Sequence, residues 1–329
     1  MSTPPQMPTQ APQASAPPAN APQAGAQVVP QGPPPPLAAQ PQGAPALSGY
    51  ASPIPIRQTH IGHALASEWT KIRSVRSTVW TLITMFGLTV GVGLLTAVGL
   101  AAADDVSAPL LAGGFFGLML GQLCIITLGV LVISSEYGTG MMRTTLTACP
   151  QRGRVLLAKA TVFFLLAFVM TLLATALTGL IHSSMLGDLP VDDFARNDAI
   201  LEGSIEGGKV VATGEHWLGA TVGASLYVSL LGLLGLAVGG LLRHSAGAIT
   251  AMVGVVLLPL VMAGFMVTDS LKDVREALLE YSPLNGLASL YGIPIQDEDS
   301  TGWPLLGLLA AVTLTALVGA YARLASSDA

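Results

Sequence analysis

The chain has 329 residues, of which 51% are hydrophobic, 10% charged and 5% aromatic, with a formal net charge of −5. Charged residues make up about a quarter of an ordinary soluble chain, so this composition argues against a soluble enzyme, and the acidic balance leaves no basic footprint for nucleic acid. Cys124 and Cys149 are too few for a disulfide scaffold. The chain reads as an all-α, polytopic integral membrane protein.

Residues 1–58 are set apart by composition. The first 56 residues contain no Asp, Glu, Lys, Arg or His and hold 16 of the 23 prolines. Proline withholds backbone donors, and a Pro/Gln/Ala mixture has too little apolar surface to offset the entropy of ordering. A disordered cytoplasmic tail is expected, without the basic and apolar regions of a signal peptide. It reads either as a docking segment for a proline-recognising partner or as a plain low-complexity extension.

Residues 59–76 follow, with Ile61, Leu65, Trp69, Ile72 and Val75 at helical spacing and Lys71, Arg73 and Arg76 on or beside the polar face. Trp69 suits the headgroup level and the basic residues suit anionic lipid. An amphipathic helix lying on the bilayer surface is expected.

A membrane-crossing helix needs roughly 20 apolar residues. Within residues 77–325 six stretches qualify, about 79–103, 110–133, 160–181, 217–242, 246–268 and 303–322. None contains Asp, Glu, Lys or Arg, which argues against a proton relay or a voltage sensor. Gln122, the one large amide in these stretches, reads either as lining a path or as an interhelical hydrogen bond. The spacings Gly87/Gly91, Gly113/Gly117/Gly121, Gly219/Gly223 and Gly235/Gly239 suit close helix packing.

Between the second and third stretches, Met141, Met142, Thr145, Leu146 and Cys149 fall on one face of a short helix. Gly138 to Gly140 open it, Thr139 is a candidate cap, and Pro150 ends it. Such a helix, held at the surface between two membrane helices, is shaped to enter a cleft on a soluble partner.

Basic residues collect on the cytoplasmic side of membrane proteins. With the N-terminus inside, the inner segments hold ten basic and three acidic residues, a sum of +7. The outer segments hold four basic and sixteen acidic residues, a sum of −12. Both termini are therefore expected in the cytoplasm, in a cell inner (cytoplasmic) membrane.

The stretch Glu136-x-Gly138-Thr139…Leu146-x-x-x-Pro150-x-Arg152…Leu156-Leu157-x-Lys159 resembles the cytoplasmic signature of type-2 ABC exporter permeases. Ser67-Glu68-Trp69-Thr70-Lys71, six spans and internal termini also match that family, over roughly Thr59 to Ala325. The resemblance implies a dimer of permease units, homo- or heteromeric, each engaging a separate ABC ATPase subunit that carries ATP and magnesium. It implies that Gly138–Cys149 is the helix coupling to that ATPase, with Glu136 an anchor at its base. Glu136, Gly138, Thr139, Met141, Met142, Arg143, Thr145, Leu146, Cys149, Pro150 and Arg152 are the coupling residues on this reading. The family's outer segment before the last span often dips towards the membrane. Here Leu271–Gly292 is apolar at intervals and broken at Ser282-Pro283, as two short interfacial or re-entrant helices would be.

Catalytic motifs do not hold up in this chain. Gly203-Ser-Ile-Glu-Gly-Gly208-Lys209 follows a phosphate-loop pattern until Val210, which replaces the magnesium-holding Ser/Thr. It also sits in the acidic outer loop His182–His216, which reads as solvated surface more readily than as a cation or accessory-protein site. The five histidines are scattered, without the spacing of a zinc helix. The expectation is a permease subunit without catalytic residues, metal or cofactor of its own, in contact with the lipid bilayer and not with nucleic acid. Its rivals are an ion-coupled secondary carrier and a non-transporting membrane scaffold or sensor.

Overall fold

A computed structural model describes residues 60–103, 105–149, 151–296 and 301–326. The proline-rich segment expected over residues 1–58 and Pro150 lie outside the described residues. The chain runs α1 (Ile61–Ser74), α2 (Arg76–Ala101), α3 (Gly114–Gly138), α4 (Met141–Ala148) and α5 (Arg152–Leu186). A short hairpin, β1 (Ile205–Glu206) with β2 (Lys209–Val210), precedes α6 (Gly214–Leu218), α7 (Ala224–Leu242) and α8 (Ser245–Phe265). Then come α9 (Lys272–Glu280), α10 (Pro283–Leu290) and α11 (Trp303–Ser326).

Six helical segments are long and apolar enough to cross a membrane: α2, α3, α5, α6 continued into α7, α8 and α11. This is a multi-pass membrane protein. The helices alternate in direction along the chain. One end of the bundle, here called the basic end, therefore carries α1, α4 and the α7–α8 turn. The acidic end carries the 187–213 loop and α9–α10. The third crossing differs from expectation, since α5 is 35 residues long, about 52 Å at 1.5 Å per residue. It begins eight residues before the apolar stretch and takes Arg152, Arg154 and Lys159 into the helix. Likewise α3 runs on through Glu136. Charged residues thus do fall within the long helical segments, near their ends: Arg76 in α2, Glu136 in α3, Arg152, Arg154 and Lys159 in α5, Glu215 in α6 and Arg323 in α11.

Helix α7 is the centre of the bundle: 72% of its apolar window is buried, against 17% for α11. Water-driven collapse does not operate between helices in lipid, so close packing and interhelical contacts must hold them. A Cβ on Gly129 of α3 would overlap the Gly232 carbonyl of α7, and one on Gly239 would lie 2.8 Å from the Val130 carbonyl. These two backbones can approach only because both positions lack a side chain. Gly117 and Gly121 meet Thr89 of α2 in the same way, and Gly219 and Gly223 meet Leu290 of α10. The Gly87/Gly91 spacing does not share this role, for both face open space.

At the acidic end the segment after α9 turns inwards, as its apolar spacing suggests. Ser282 Oγ accepts the Asn285 N–H at 3.0 Å and Pro283 occupies the first turn of α10, a regular helix start. Asn285 then accepts the Ile295 N–H at 2.7 Å and donates to the Glu280 carbonyl at 3.0 Å, fastening both flanks. Residues 284–290 are all buried. The 187–213 loop is more than solvated surface. Val106, Leu110, Leu186, Val191, Leu201 and Val210 form a small apolar core of their own. The phosphate-loop lookalike becomes the β1–β2 hairpin, with Gly207 and Gly208 at φ 59° and 80°, as a two-residue turn requires.

Candidate functional site

The chemistry of the chain is concentrated at the basic end, where four charges close on one another. Glu68 comes from α1, Glu136 from the end of α3, Lys159 from the first turns of α5, and Lys71 from α1 one turn after Glu68. Lys159 Nζ lies 2.8 Å from Glu68 Oε2 and 2.6 Å from Glu136 Oε1. Lys71 Nζ lies 3.0 Å from Glu68 Oε1 and 3.0 Å from Glu136 Oε1. The two acids and two bases therefore alternate in a ring of no net charge. Lys159 is 1% exposed, and both carboxylates are buried. Burial alone would push the Lys71 ammonium down, but its hydrogen bonds to Glu68 and Glu136 outweigh that and hold its pKa above the ordinary lysine value.

Isolated charges are costly away from water, so each of these groups is tolerable only because the others are there. The result is a joint. Helix α1 cannot swing away from α3 and α5 without exposing unpaired charge. Lys71 also reaches Thr145 Oγ1 of α4 at 3.5 Å, a long contact.

Within residues 59–76 the chain forms the helix α1, ending at an extended Val75 before α2 begins. The face it turns to the bundle is only partly the apolar stripe. Glu68 and Ile72 are the buried residues, while Ile61, Trp69 and Val75 are exposed. Arg73 and Arg76 are exposed, Trp69 is half-exposed beside Val162 and Leu165 of α5 in a shallow apolar groove, and Lys71 turns into the charge ring.

Helix α4 begins at Gly140 (φ 73°) with no side-chain cap. Thr139 does not cap it: its hydroxyl donates to the Ser135 carbonyl at 2.9 Å, closing α3 instead. Nor do its apolar residues form one outward face. Met142 is 2% exposed and, with Leu146, packs into the bundle core. Met141, Thr145 and Cys149 line a cleft of about 390 Å³ whose opposite wall is His60, His63 and Ala64 of the α1 side. Glu68 and Lys71 also border that cleft, so it runs directly to the charge ring. Arg143 and Thr147 are left facing outwards.

Three further contacts tie the basic end together. Arg152, expected in the coupling set, donates to the Leu324 carbonyl at 2.6 Å and so caps the end of α11. The Arg243 guanidinium lies 4.8 Å from the centre of the Tyr137 ring, and Ser134 and Ser245 hydroxyls are 3.0 Å apart. Gln122 lies elsewhere. It is fully buried, its amide N–H donates to Met119 of its own helix at 3.2 Å, and its Oε1 has no partner among the described residues. Among the described residues its side chain makes no hydrogen bond to another helix.

Glu68 and Lys159 were not among the expected site residues. The signal was present in the sequence, since Glu68 and Glu136 are the only acids among the basic segments before the extreme C-terminus. Two such isolated acids need partners, and Lys71 and Lys159 are the cations that fold beside them. No group of three or more His, Cys, Asp or Glu able to hold a metal occurs among the described residues. Fold and site together define a six-helix membrane protein with a charge-locked joint beneath two surface helices. Compared with known proteins, the chain matches no family model and no curated protein.

Proposed function

We propose that this chain is the transmembrane permease subunit of an ATP-binding cassette exporter, coupled to separate ATPase subunits and paired with a second permease unit. The observation that carries this reading is the ring of Glu68, Lys71, Glu136 and Lys159 set beneath the α1–α4 cleft. A soluble ATPase seated in that cleft would push on α4 and α1. Through the ring, the push would reach α3 and α5 as a rigid displacement, because separating any arm strands a buried charge. Met142 and Leu146 anchor α4 from below, and Arg143 and Thr147 present a polar outer surface to the partner. The resemblance of the Glu136–Lys159 segment to exporter permeases supports the same assignment, and the excess of basic charge at this end supports a cytoplasmic position for it. ATP and magnesium belong to the partner in this reading.

The test is affinity purification of the tagged chain from its native membrane in mild detergent, followed by identification of co-purifying proteins. A stoichiometric nucleotide-binding subunit is expected. The Arg143→Glu chain should fold and insert normally yet recover about tenfold less of that subunit, since it reverses an exposed charge on the contact surface. Reproducible absence of any ATPase from an intact complex would transfer the assignment to a stand-alone carrier or scaffold.

A further inference from the structure

An apolar groove of about 650 Å³ opens on the side of the bundle between α7, α8 and α11. Leu231 and Leu234 of α7, Gly254 and Leu258 of α8, and Leu308 and Val312 of α11 line it. Its rim reaches Tyr281 and Pro283, where α9 passes into α10, and its lining runs along α8 as far as Ala251, so the groove opens at the acidic end of the bundle. Its size falls within the roughly 300–1,000 Å³ usual for small-molecule sites, which are mostly apolar with a few placed polar groups.

Two polar groups at this groove lack their ordinary partners. Tyr227 lines it and is 3% exposed, and among the described residues its hydroxyl makes no hydrogen bond. Its phenol end packs on Gly286 of α10, where a Cβ would overlap it, so ring and hydroxyl are held in one place. A buried tyrosine hydroxyl usually finds a partner, and leaving one unmade is costly. The second group is the carbonyl of Val255, a residue that also lines the groove. Pro259 stands four residues on, inside α8, and proline has no N–H with which to close on that carbonyl. Bulk acyl chains would fill the apolar walls but satisfy neither group.

We propose that the groove binds a lipid alcohol, a long apolar molecule carrying a hydroxyl that enters sideways from the leaflet at the acidic end. A hydroxyl is both donor and acceptor, which suits a phenol without a partner and a carbonyl without its usual helical donor beside the same apolar groove. The proposal goes beyond the exporter assignment and does not rest on it, because no ATPase is needed for the site to fill.

The full-length chain, reconstituted in phosphatidylcholine vesicles, is irradiated with a long-chain alcohol bearing a mid-chain diazirine. A parallel sample receives the matched alkane with the same diazirine, and labelled peptides are mapped by mass spectrometry. The alcohol should label α7, α8 or α11 at the groove about fivefold more than the alkane, in keeping with one or two hydrogen bonds. Excess unlabelled alcohol should remove that difference in the unaltered protein. Tyr227→Phe, which takes away only an unbonded hydroxyl, should bring alcohol labelling to the alkane level. Leu308→Trp, at a lipid-exposed position on the rim, should reduce labelling by both probes. Equal labelling by alcohol and alkane in the unaltered protein, or alcohol labelling unchanged in Tyr227→Phe, overturns the proposal.

Discussion

Lys159 has the most to lose of any single residue. Its ammonium sits between Glu68 and Glu136 with almost no solvent contact, so removing it leaves two buried carboxylates with Lys71 as the remaining base in the ring. Breaking a buried charge pair from one side costs about 3–5 kcal/mol. Lys159→Met should therefore lower the melting temperature of the detergent-solubilised protein sharply, as followed by size-exclusion fluorescence after heating. Removing the Glu68 and Glu136 charges as well, in Glu68→Gln/Glu136→Gln/Lys159→Met, should recover part of the loss, because no unpaired carboxylate then remains. A triple variant no more stable than Lys159→Met would mean that the ring is held by packing and not by charge. Lys71 has a different signature, because it is partly exposed and its pKa is raised on folding. A base with a raised folded pKa stabilises fully below its ordinary pKa, about 10.4 for lysine, and the contribution fades as pH rises through the folded value. Melts across the alkaline range should fall more steeply for the native chain than for Lys71→Met. Parallel curves would remove Lys71 from the joint.

Helix α4 shows why a helical stripe in sequence does not by itself give a contact face. Met141, Met142, Thr145, Leu146 and Cys149 do share spacing, yet tertiary packing divides them between the core and the α1 cleft. The division follows from where α4 lies. It bridges the basic ends of α3 and α5, so its wide apolar surface has both the bundle below and α1 beside it to cover. One consequence is that Leu146→Asp should destabilise the fold by placing a charge against the core, whereas Thr147→Asp on the outer surface should change stability little. Comparable losses in both variants, measured by the same thermal assay, would show that α4 is loosely held and that this division is wrong. The α3–α7 crossing is stricter still. A side chain at Gly239 would meet backbone, which cannot rotate away, so Gly239→Leu should abolish recovery of folded protein while Gly87→Leu, facing open space, should not.

At the scale of the molecule, six membrane helices and the break at Ser282-Pro283 were legible because they depend on apolar run length and on proline, both local properties. The charge ring was only half legible. Glu136 could be picked out by its position, but Glu68 lies 68 residues before it and Lys159 23 residues after, and only the fold brings them together. The length of α5 was missed for a related reason. Three basic residues at its start look like a flank, and become part of the helix because Lys159 is neutralised by partners supplied from α1 and α3. The direction in which the bundle sits in the membrane still rests on charge asymmetry, and it can be read directly. Thr147 is exposed on α4 at the basic end, and Glu202 is exposed in the folded acidic loop. With Cys124 and Cys149 replaced by serine, single cysteines placed by Thr147→Cys and Glu202→Cys would be treated with a membrane-impermeant maleimide in intact cells. The positive-inside rule expects immediate labelling at residue 202 and labelling at residue 147 only after permeabilisation. The opposite pattern would put the α1–α4 cleft outside, where no cytoplasmic ATPase could reach it, and with it would go the exporter assignment. Labelling of both positions in intact cells would instead mean that the chain inserts in two orientations, which a +7 and −12 division of charge should prevent.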